Sequence, residues 1–214
     1  VSIVNSLTRQ ISTKLFPENP NFGTRLDEPA GIGYDYGITM PEEGERMTDT
    51  EAMHEALALA REAADEGEVP VGCIVTDGEH IVGRGRNRRE TGKSALAHAE
   101  LEAIAEACRT LGGWRLWRCT LYVTLEPCPM CAGAIINARI PRVVFGAPDP
   151  KAGSCGSVTD LFALPYNHRP ASEGGVLEEE CAQLLRDFFR ALRLAPPKPR
   201  WKPAVLPAQG GDHA

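Results

Sequence analysis

The order of helical and extended hydrophobic patterns limits this chain to one class of fold. Apolar residues recur at helical spacing in residues 53–67, 95–108, 131–139 and 177–193, and short β-branched runs occupy residues 69–78, 80–87, 119–126 and 142–147. A long loop over residues 148–175, with room for one short strand, precedes the last helix. Strands that are separated by helices usually pair in parallel, so the order predicts an α/β fold with helices on both faces of the sheet.

The first two extended runs are an exception to that parallel pattern. Only the turn residues Asp77, Gly78 and Glu79 separate them, which is typical of a β-hairpin. A Thr or Asp within residues 48–50 can cap the helix that precedes the hairpin. We therefore expect one antiparallel strand in an otherwise parallel sheet.

The two ends of the chain lack such patterns. Residues 1–46 are rich in Gly, Pro and Asn and show no periodicity, which predicts a disordered N-terminal extension. Residues 195–214 are rich in Pro and predict an extended, mobile tail. One folded domain over residues 47–194 is expected between them.

Composition excludes several classes of protein. Charged residues make up 24% and hydrophobic residues 43% of the 214 residues, which is the balance of a soluble globular protein. No apolar run approaches the roughly 18 residues of a membrane span, and no secretory leader pattern is present. We therefore expect a cytoplasmic protein without a membrane partner. The seven cysteines include one tight pair at metal-ligand spacing, so disulfides are not expected.

One segment of this acidic chain is strongly basic. The formal net charge is -6, yet residues 83–93 read GRGRNRRETGK and hold a single acid. Such a patch favours contact with nucleic-acid phosphates. The same arginines would also suit a solvated hairpin tip, and composition alone does not separate these alternatives.

Three side chains have the spacing of catalytic zinc ligands. His98 lies beside the start of the second predicted helix, and Cys128 and Cys131 lie at the start of the third. One imidazole and two thiolates leave the fourth tetrahedral position open for water, whose pKa zinc lowers to about 7. Glu100, two residues after His98, is then free to transfer protons.

A closed structural zinc site is the alternative reading of these residues. Cys155 or Cys119 would then supply a fourth ligand, and Glu100 would be an ordinary surface acid. A CxxC pair alone is equally typical of redox proteins. The composite of His98-Ala99-Glu100 with residues 127–131, PCPMC, is much more specific, because it is the H-x-E and P-C-x-x-C signature of zinc deaminases.

The similarity extends well beyond this signature. Residues 124–157, the triplet at 167–169 and the FFR at 188–190 resemble the bacterial tRNA adenosine deaminases, and the match covers residues 48–193. The resemblance implies a cytidine-deaminase-like α/β/α fold with three layers and a mixed five-stranded sheet, in a homodimer with one Zn²⁺ per subunit. It also implies hydrolytic deamination of the wobble adenosine in the tRNA anticodon loop to inosine, with release of ammonia.

The resemblance also implies roles for single residues. His98, Cys128 and Cys131 would hold zinc, and Glu100 would be the catalytic proton shuttle. The residues implied to bind substrate are Asn87, Ala99, Asp149, Lys151, Asn167, His168 and Arg169.

Two other functions are compatible with the zinc residues. A free nucleobase or nucleoside deaminase, acting on guanine or cytosine, would keep the same apparatus, but the basic segment 83–93 favours RNA. A non-catalytic subunit stabilised by zinc would be expected to lack Glu100, which this chain retains.

Overall fold

The computed structural model describes residues 47–196. The predicted extension over residues 1–46, and all but the first two residues of the predicted tail over residues 195–214, lie outside the described residues. Within residues 47–196, no helix is both long and apolar enough to cross a bilayer.

Four helices and five strands make up the described part of the chain. In chain order they are α1 (Asp49–Asp65), β1 (Gly72–Asp77), β2 (His80–Arg86), α2 (Ala99–Thr110), β3 (Cys119–Leu125), α3 (Pro129–Ala138), β4 (Arg142–Ala147), β5 (Ala171–Gly174) and α4 (Glu178–Leu194). The order agrees with the prediction, and β5 is the short strand expected in the long loop.

The strands form one mixed sheet in the order β2-β1-β3-β4-β5. Strand β1 is antiparallel to both β2 and β3, whereas β3, β4 and β5 run in parallel. The hairpin therefore contributes the one reversed strand, as predicted. Its turn uses Gly78 at φ 64°, a left-handed conformation that glycine adopts without steric cost.

Helices cover both faces of the sheet. Alternate residues of β3 point in opposite directions, so Leu121 and Val123 pack with α2 and α3, while Tyr122 packs with α1 and α4. The result is the three-layer α/β/α architecture that the sequence and the resemblance predicted.

Helix α2 begins later than its sequence pattern indicates. The Ala-rich segment from Ala95 predicted helix, but the chain turns through residues 91–97 and the first helical residue is Ala99. The N–H of Arg88 donates to the carbonyl of Ala97, which commits that carbonyl to a loop contact. His98 is extended at φ -85° and ψ 148°, so it is the N-cap of α2 rather than a residue within the helix.

Helix α4 packs less completely than its apolar face predicts. Cys181 is its only buried residue, and Phe189 is 40% exposed. The apolar pattern of residues 177–193 would place both Phe188 and Phe189 against the sheet, and the structure leaves Phe189 exposed. The residues of α4 that join the core cluster on this face of the sheet, Cys181, Ala182 and Leu184, all lie in its first two turns.

A charged cluster ties the start of α1 to the sheet. Arg142 on β4 donates two hydrogen bonds of 2.7 Å to the two carboxylate oxygens of Asp49, and the hydroxyl of Tyr122 donates to the same carboxylate at 2.9 Å. The Arg142 hydrogen bonds hold the pKa of Asp49 below its ordinary value despite partial burial. Asp49 is therefore ionised and bonded at neutral pH.

We predict that Asp49→Asn lowers the free energy of unfolding by about 1–2 kcal/mol at pH 7, because it weakens a partly exposed charged pair. The folded-state pKa is depressed, so this stabilisation is present above the ordinary value of 3.8 and is lost as pH falls through the lower folded value. Urea denaturation from pH 7 to pH 3 measures the difference, which should shrink on acidification.

The exposed Asp65 at the other end of α1 provides the matched control. Asp65→Asn should change the free energy of unfolding by less than about 0.5 kcal/mol at each pH. An Asp49→Asn variant that is as stable as the wild type at pH 7 would contradict the role of this cluster.

Candidate active site

Two helix starts converge beyond the carboxyl end of β3. His98 caps α2 and Cys128 caps α3, while Cys131 is in the first turn of α3. The Cys128 and Cys131 sulfurs lie 3.6 Å apart, and the Nδ1 atom of His98 lies 3.7 Å from the first and 3.4 Å from the second. Thus the predicted ligands form one cluster.

The donor distances fit a tetrahedral zinc ion. With Zn–S bonds of about 2.3 Å and Zn–N bonds of about 2.0–2.1 Å, tetrahedral angles place two sulfurs about 3.8 Å apart and a sulfur about 3.6 Å from the nitrogen. All three distances in the structure lie within a few tenths of an ångström of these values. The three donors could therefore hold one tetrahedral metal ion of this size.

The alternative of a closed site, with Cys119 or Cys155 as a fourth ligand, does not fit. Among residues 47–196, the group of close metal-binding side chains contains His98, Cys128 and Cys131, and neither Cys119 nor Cys155. Cys119 begins β3, at the opposite end of that strand from the cluster. Three donors therefore leave one position for water or substrate, as in catalytic zinc sites.

The electrostatics of the cluster favour a thiolate. The hydrogen bonds with Cys131 and His98 lower the pKa of Cys128 to about 4, although burial opposes this shift. The hydrogen bond with Cys128 raises the pKa of His98. Since the N-termini of α2 and α3 both point to this site, their dipoles add to the stabilisation of negative charge.

Glu100 lies next to the cluster and is only 4% exposed. Burial raises its pKa above the ordinary value, which favours a carboxyl group that holds a proton more readily than a surface acid does. The alternative of an ordinary helix-surface acid is therefore excluded. A buried carboxyl beside an open metal position is suited to general acid and base catalysis.

A cavity of about 220 Å³ opens at this cluster. Its wall brings together six of the residues that were singled out from the sequence, namely Asn87, His98, Ala99, Glu100, Cys128 and Asp149. The apolar part of the wall was not predicted and consists of Val69, Val71, Leu125 and Ala152. These residues lie at strand ends or in adjoining loops, where sequence patterns indicate core rather than cavity wall.

Comparisons with known proteins agree with this geometry. The MafB19-like deaminase family matches residues 47–193. The tRNA-specific adenosine deaminase of Bacillus subtilis is 50% identical over 149 residues, which are 69% of this chain and 92% of that protein. The chain belongs to the tRNA-specific adenosine deaminases, within the MafB19-like deaminase family.

Two further comparisons concern a solved structure and a much longer protein. A solved structure from studies of A-to-I editing by tRNA:A34 deaminases is 42% identical, covers 64% of this chain and 99% of that chain, and superposes with a TM-score of 0.62. A tRNA(Ile)-lysidine synthase of Deinococcus radiodurans is 54% identical over 144 residues. The chain spans only 25% of that second protein's length.

Four predicted substrate residues of the deaminase lie outside the cavity wall. Lys151, Asn167 and Arg169 are exposed, and the ring nitrogen Nε2 of His168 lies 2.8 Å from the carbonyl oxygen of Ile140. Ile140 precedes β4, so it is at the opposite end of the sheet from the zinc ligands. The structure therefore does not bring residues 167–169 of one chain to the cavity, and their role in substrate binding stays a prediction.

The basic segment 83–93 divides into two parts in the fold. Arg86 forms ion pairs with Glu62 on α1 at 3.6 Å and with Glu66, which directly follows α1, at 2.6 Å, so its charge is balanced. Arg89 instead lies in the cavity wall with an exposed side chain. Of these two arginines, only Arg89 is placed to meet an anionic substrate in the cavity.

A buried carboxylate that the sequence analysis missed anchors the loop around Asp149. Glu126 is 2% exposed and accepts hydrogen bonds from the backbone N–H groups of Asp149, Cys155 and Ser157, at 3.0, 2.9 and 3.1 Å. A Cβ atom at Gly153 would lie 2.2 Å from its Oε2 atom, so the loop passes close over the carboxylate. The position of Glu126 directly before the PCPMC motif was the available signal.

Glycines set the distance between α2 and β2. A Cβ atom at Gly85 would lie 2.1 Å from the carbonyl oxygen of Ala99, and one at Gly83 would lie 2.2 Å from that of Ala103. Real Cβ atoms do not approach backbone this closely, so α2 rests directly on the strand backbone. Because Ala99 follows His98, this contact positions the histidine ligand.

We predict that Gly85→Ala lowers the free energy of unfolding by about 1–3 kcal/mol, because the helix backbone must move away from the strand. The movement also shifts His98, so zinc retained after dialysis against a weak chelator should fall below that of the wild type. Urea denaturation and metal analysis measure the two effects.

Gly113→Ala is the control, since a Cβ atom there has no neighbour within 4 Å. It should leave both the stability and the zinc content unchanged. A Gly85→Ala variant with the stability and zinc content of the wild type would show that the close packing is not required.

Proposed function

We propose that this deaminase hydrolyses the wobble adenosine of a tRNA anticodon to inosine and ammonia, with one zinc ion per subunit held by His98, Cys128 and Cys131. The observation that carries the proposal is the buried Glu100 beside a three-donor cluster at the base of a cavity. The family of the chain supplies the substrate class.

Zinc bound there would supply a Lewis acid that makes a coordinated water acidic enough to attack as hydroxide near neutral pH. Glu100 takes the proton from the attacking water and delivers it to N1 of adenine, while the oxygen bonds to C6. A second proton passes through Glu100 to the 6-amino group, which leaves as ammonia. The balance is adenosine plus water to inosine plus ammonia.

The cavity wall offers polar groups that can orient the base. Asn87 is 5% exposed and presents an amide, and the N-terminal turn of α2 places the Ala99 backbone beside the same space. Asp149 is held at the rim by the hydrogen bond from its N–H to Glu126. Adenine must leave its stack to enter, and unpaired anticodon bases are extruded at the lowest cost.

Turnover of an RNA substrate tests this proposal. The wild type should form inosine at the wobble adenosine of an anticodon stem-loop, and Glu100→Gln should lower the rate by at least about 100-fold because the proton carrier is lost. Zinc content should remain near one per chain in both proteins. Inosine is measured by nuclease digestion and chromatography, with zinc measured by atomic emission.

Glu102→Gln, two residues further along α2, is the matched control and should keep nearly full activity. Free adenosine, cytosine and guanine are tested alongside the stem-loop. If the stem-loop is not deaminated but one of the free bases is, the substrate is a small molecule and not RNA. Full activity of Glu100→Gln would exclude the assigned proton transfer.

We also propose a homodimer, as the family resemblance implies. Large apolar side chains that a second copy could cover are exposed in the described residues, among them Trp114, Trp117 and Tyr166, with exposed fractions of 51%, 56% and 49%. Sedimentation equilibrium at micromolar concentration should give twice the chain mass of 23.2 kDa. A monomer under these conditions would rule out a stable dimer.

A further inference from the structure

Glu68 is a buried acid that the chemistry described above does not use. It lies in the loop between α1 and β1 and is 1% exposed. Its Oε1 atom accepts a hydrogen bond of 2.6 Å from the backbone N–H of Thr91, and its Oε2 atom lies 3.4 Å from the Nδ2 atom of Asn87. Glu68 therefore contacts a residue of the cavity wall from behind.

The surroundings keep Glu68 ionised. Burial would raise its pKa, but the backbone N–H groups of Thr91 and Glu90 donate to the carboxylate, and the pKa lies below its ordinary value. An ionised carboxylate can only accept hydrogen bonds. Asn87 must consequently turn its NH₂ group, and not its carbonyl oxygen, toward Glu68.

The orientation of the Asn87 amide determines which hydrogen-bonding groups it presents to the base. An amide is planar, so a fixed Nδ2 atom also fixes the Oδ1 atom, and the backbone of Asn87 is itself held by its N–H bond of 2.9 Å to the carbonyl of Val71. With one N–H directed at Glu68, the amide offers one acceptor and one remaining donor. This pair complements the amino group and the adjacent ring nitrogen of adenine, an edge that asparagine recognises in other settings.

We propose that Glu68 is a positioning residue that sets the hydrogen-bond polarity of Asn87 toward the target base. The proposal rests on the proposed function, since it specifies how the same cavity recognises its purine. Glu68 itself does not touch the base. It acts on substrate choice only through the amide of Asn87.

A glutamine at position 68 would reverse this polarity without changing the shape. The N–H of Thr91 requires an acceptor, so the carbonyl oxygen of the glutamine would face it and the NH₂ group would face Asn87. Asn87 would then turn its Oδ1 atom away from the cavity and present its NH₂ group to the base. An aspartate at position 87 in the same protein has two acceptor oxygens, so one would meet the glutamine and the other would face the cavity.

The experiment compares Glu68→Gln, Asn87→Asp and their combination by kcat/KM on the anticodon stem-loop. Glu68→Gln should lower kcat/KM by roughly 10- to 100-fold. Asn87→Asp should also be impaired, because it places a second carboxylate against Glu68. The double variant should regain at least about 10-fold over each single variant, which a merely structural role of Glu68 would not produce.

Asp65→Asn is the control, because it removes an exposed acid three residues away at the end of α1. It should stay within about twofold of the wild type. The side-chain NH₂ signal of Asn87 in a ¹⁵N spectrum gives a readout independent of activity and should shift in Glu68→Gln but not in Asp65→Asn. If Glu68→Gln does not fold, Asn87→Asp and the double variant still test the rescue.

The outcomes separate this proposal from the proposed function. A wild type inactive on RNA would overturn the substrate assignment, and the same variants would then be compared on whichever free base is deaminated. An active wild type whose double variant is no better than the single variants would overturn the role of Glu68. An unshifted Asn87 signal in Glu68→Gln would overturn it as well.

Discussion

The approach of α2 to β2 is the constraint on which the site depends. Gly83 and Gly85 let the helix backbone rest on the strand, at distances that any side chain would forbid. His98 is the N-cap of α2. The close packing of α2 on β2 therefore places its ring near the thiols of Cys128 and Cys131 at the start of α3. The arrangement of the three donor side chains is thus a consequence of backbone packing as much as of the donors themselves.

Two buried carboxylates fix the loops around the site, as the packing of α2 on β2 fixes its helix. Glu126 binds three backbone N–H groups of the loop that carries Asp149, and Glu68 binds the loop that follows Asn87. Burial of a charge is costly unless hydrogen bonds satisfy it, and here the donors are backbone groups that would otherwise need water. Each acid therefore holds one loop beside the cavity in place through several hydrogen bonds.

The net charge of the chain does not describe the charge near the cavity. The chain is acidic overall, and Arg86 in its basic segment is neutralised by Glu62 and Glu66. Among the described residues, the other basic side chains of that segment form no ion pair, and Arg89 lies in the cavity wall. A count of charges along the sequence therefore misjudged Arg86, because it does not show which acids fold against which arginines.

Much of this protein was determined by local sequence. Hydrophobic periodicity predicted the order of elements and the reversed hairpin strand, and the spacing of His98, Glu100, Cys128 and Cys131 predicted a cluster that the fold assembles. Only the tertiary structure decided the late start of α2, the exposure of Phe189, and the burial of Glu68 behind the cavity and of Glu126 in its wall. Periodicity and motifs report contacts between near neighbours in sequence, whereas these features depend on hydrogen bonds and packing between segments far apart in the chain.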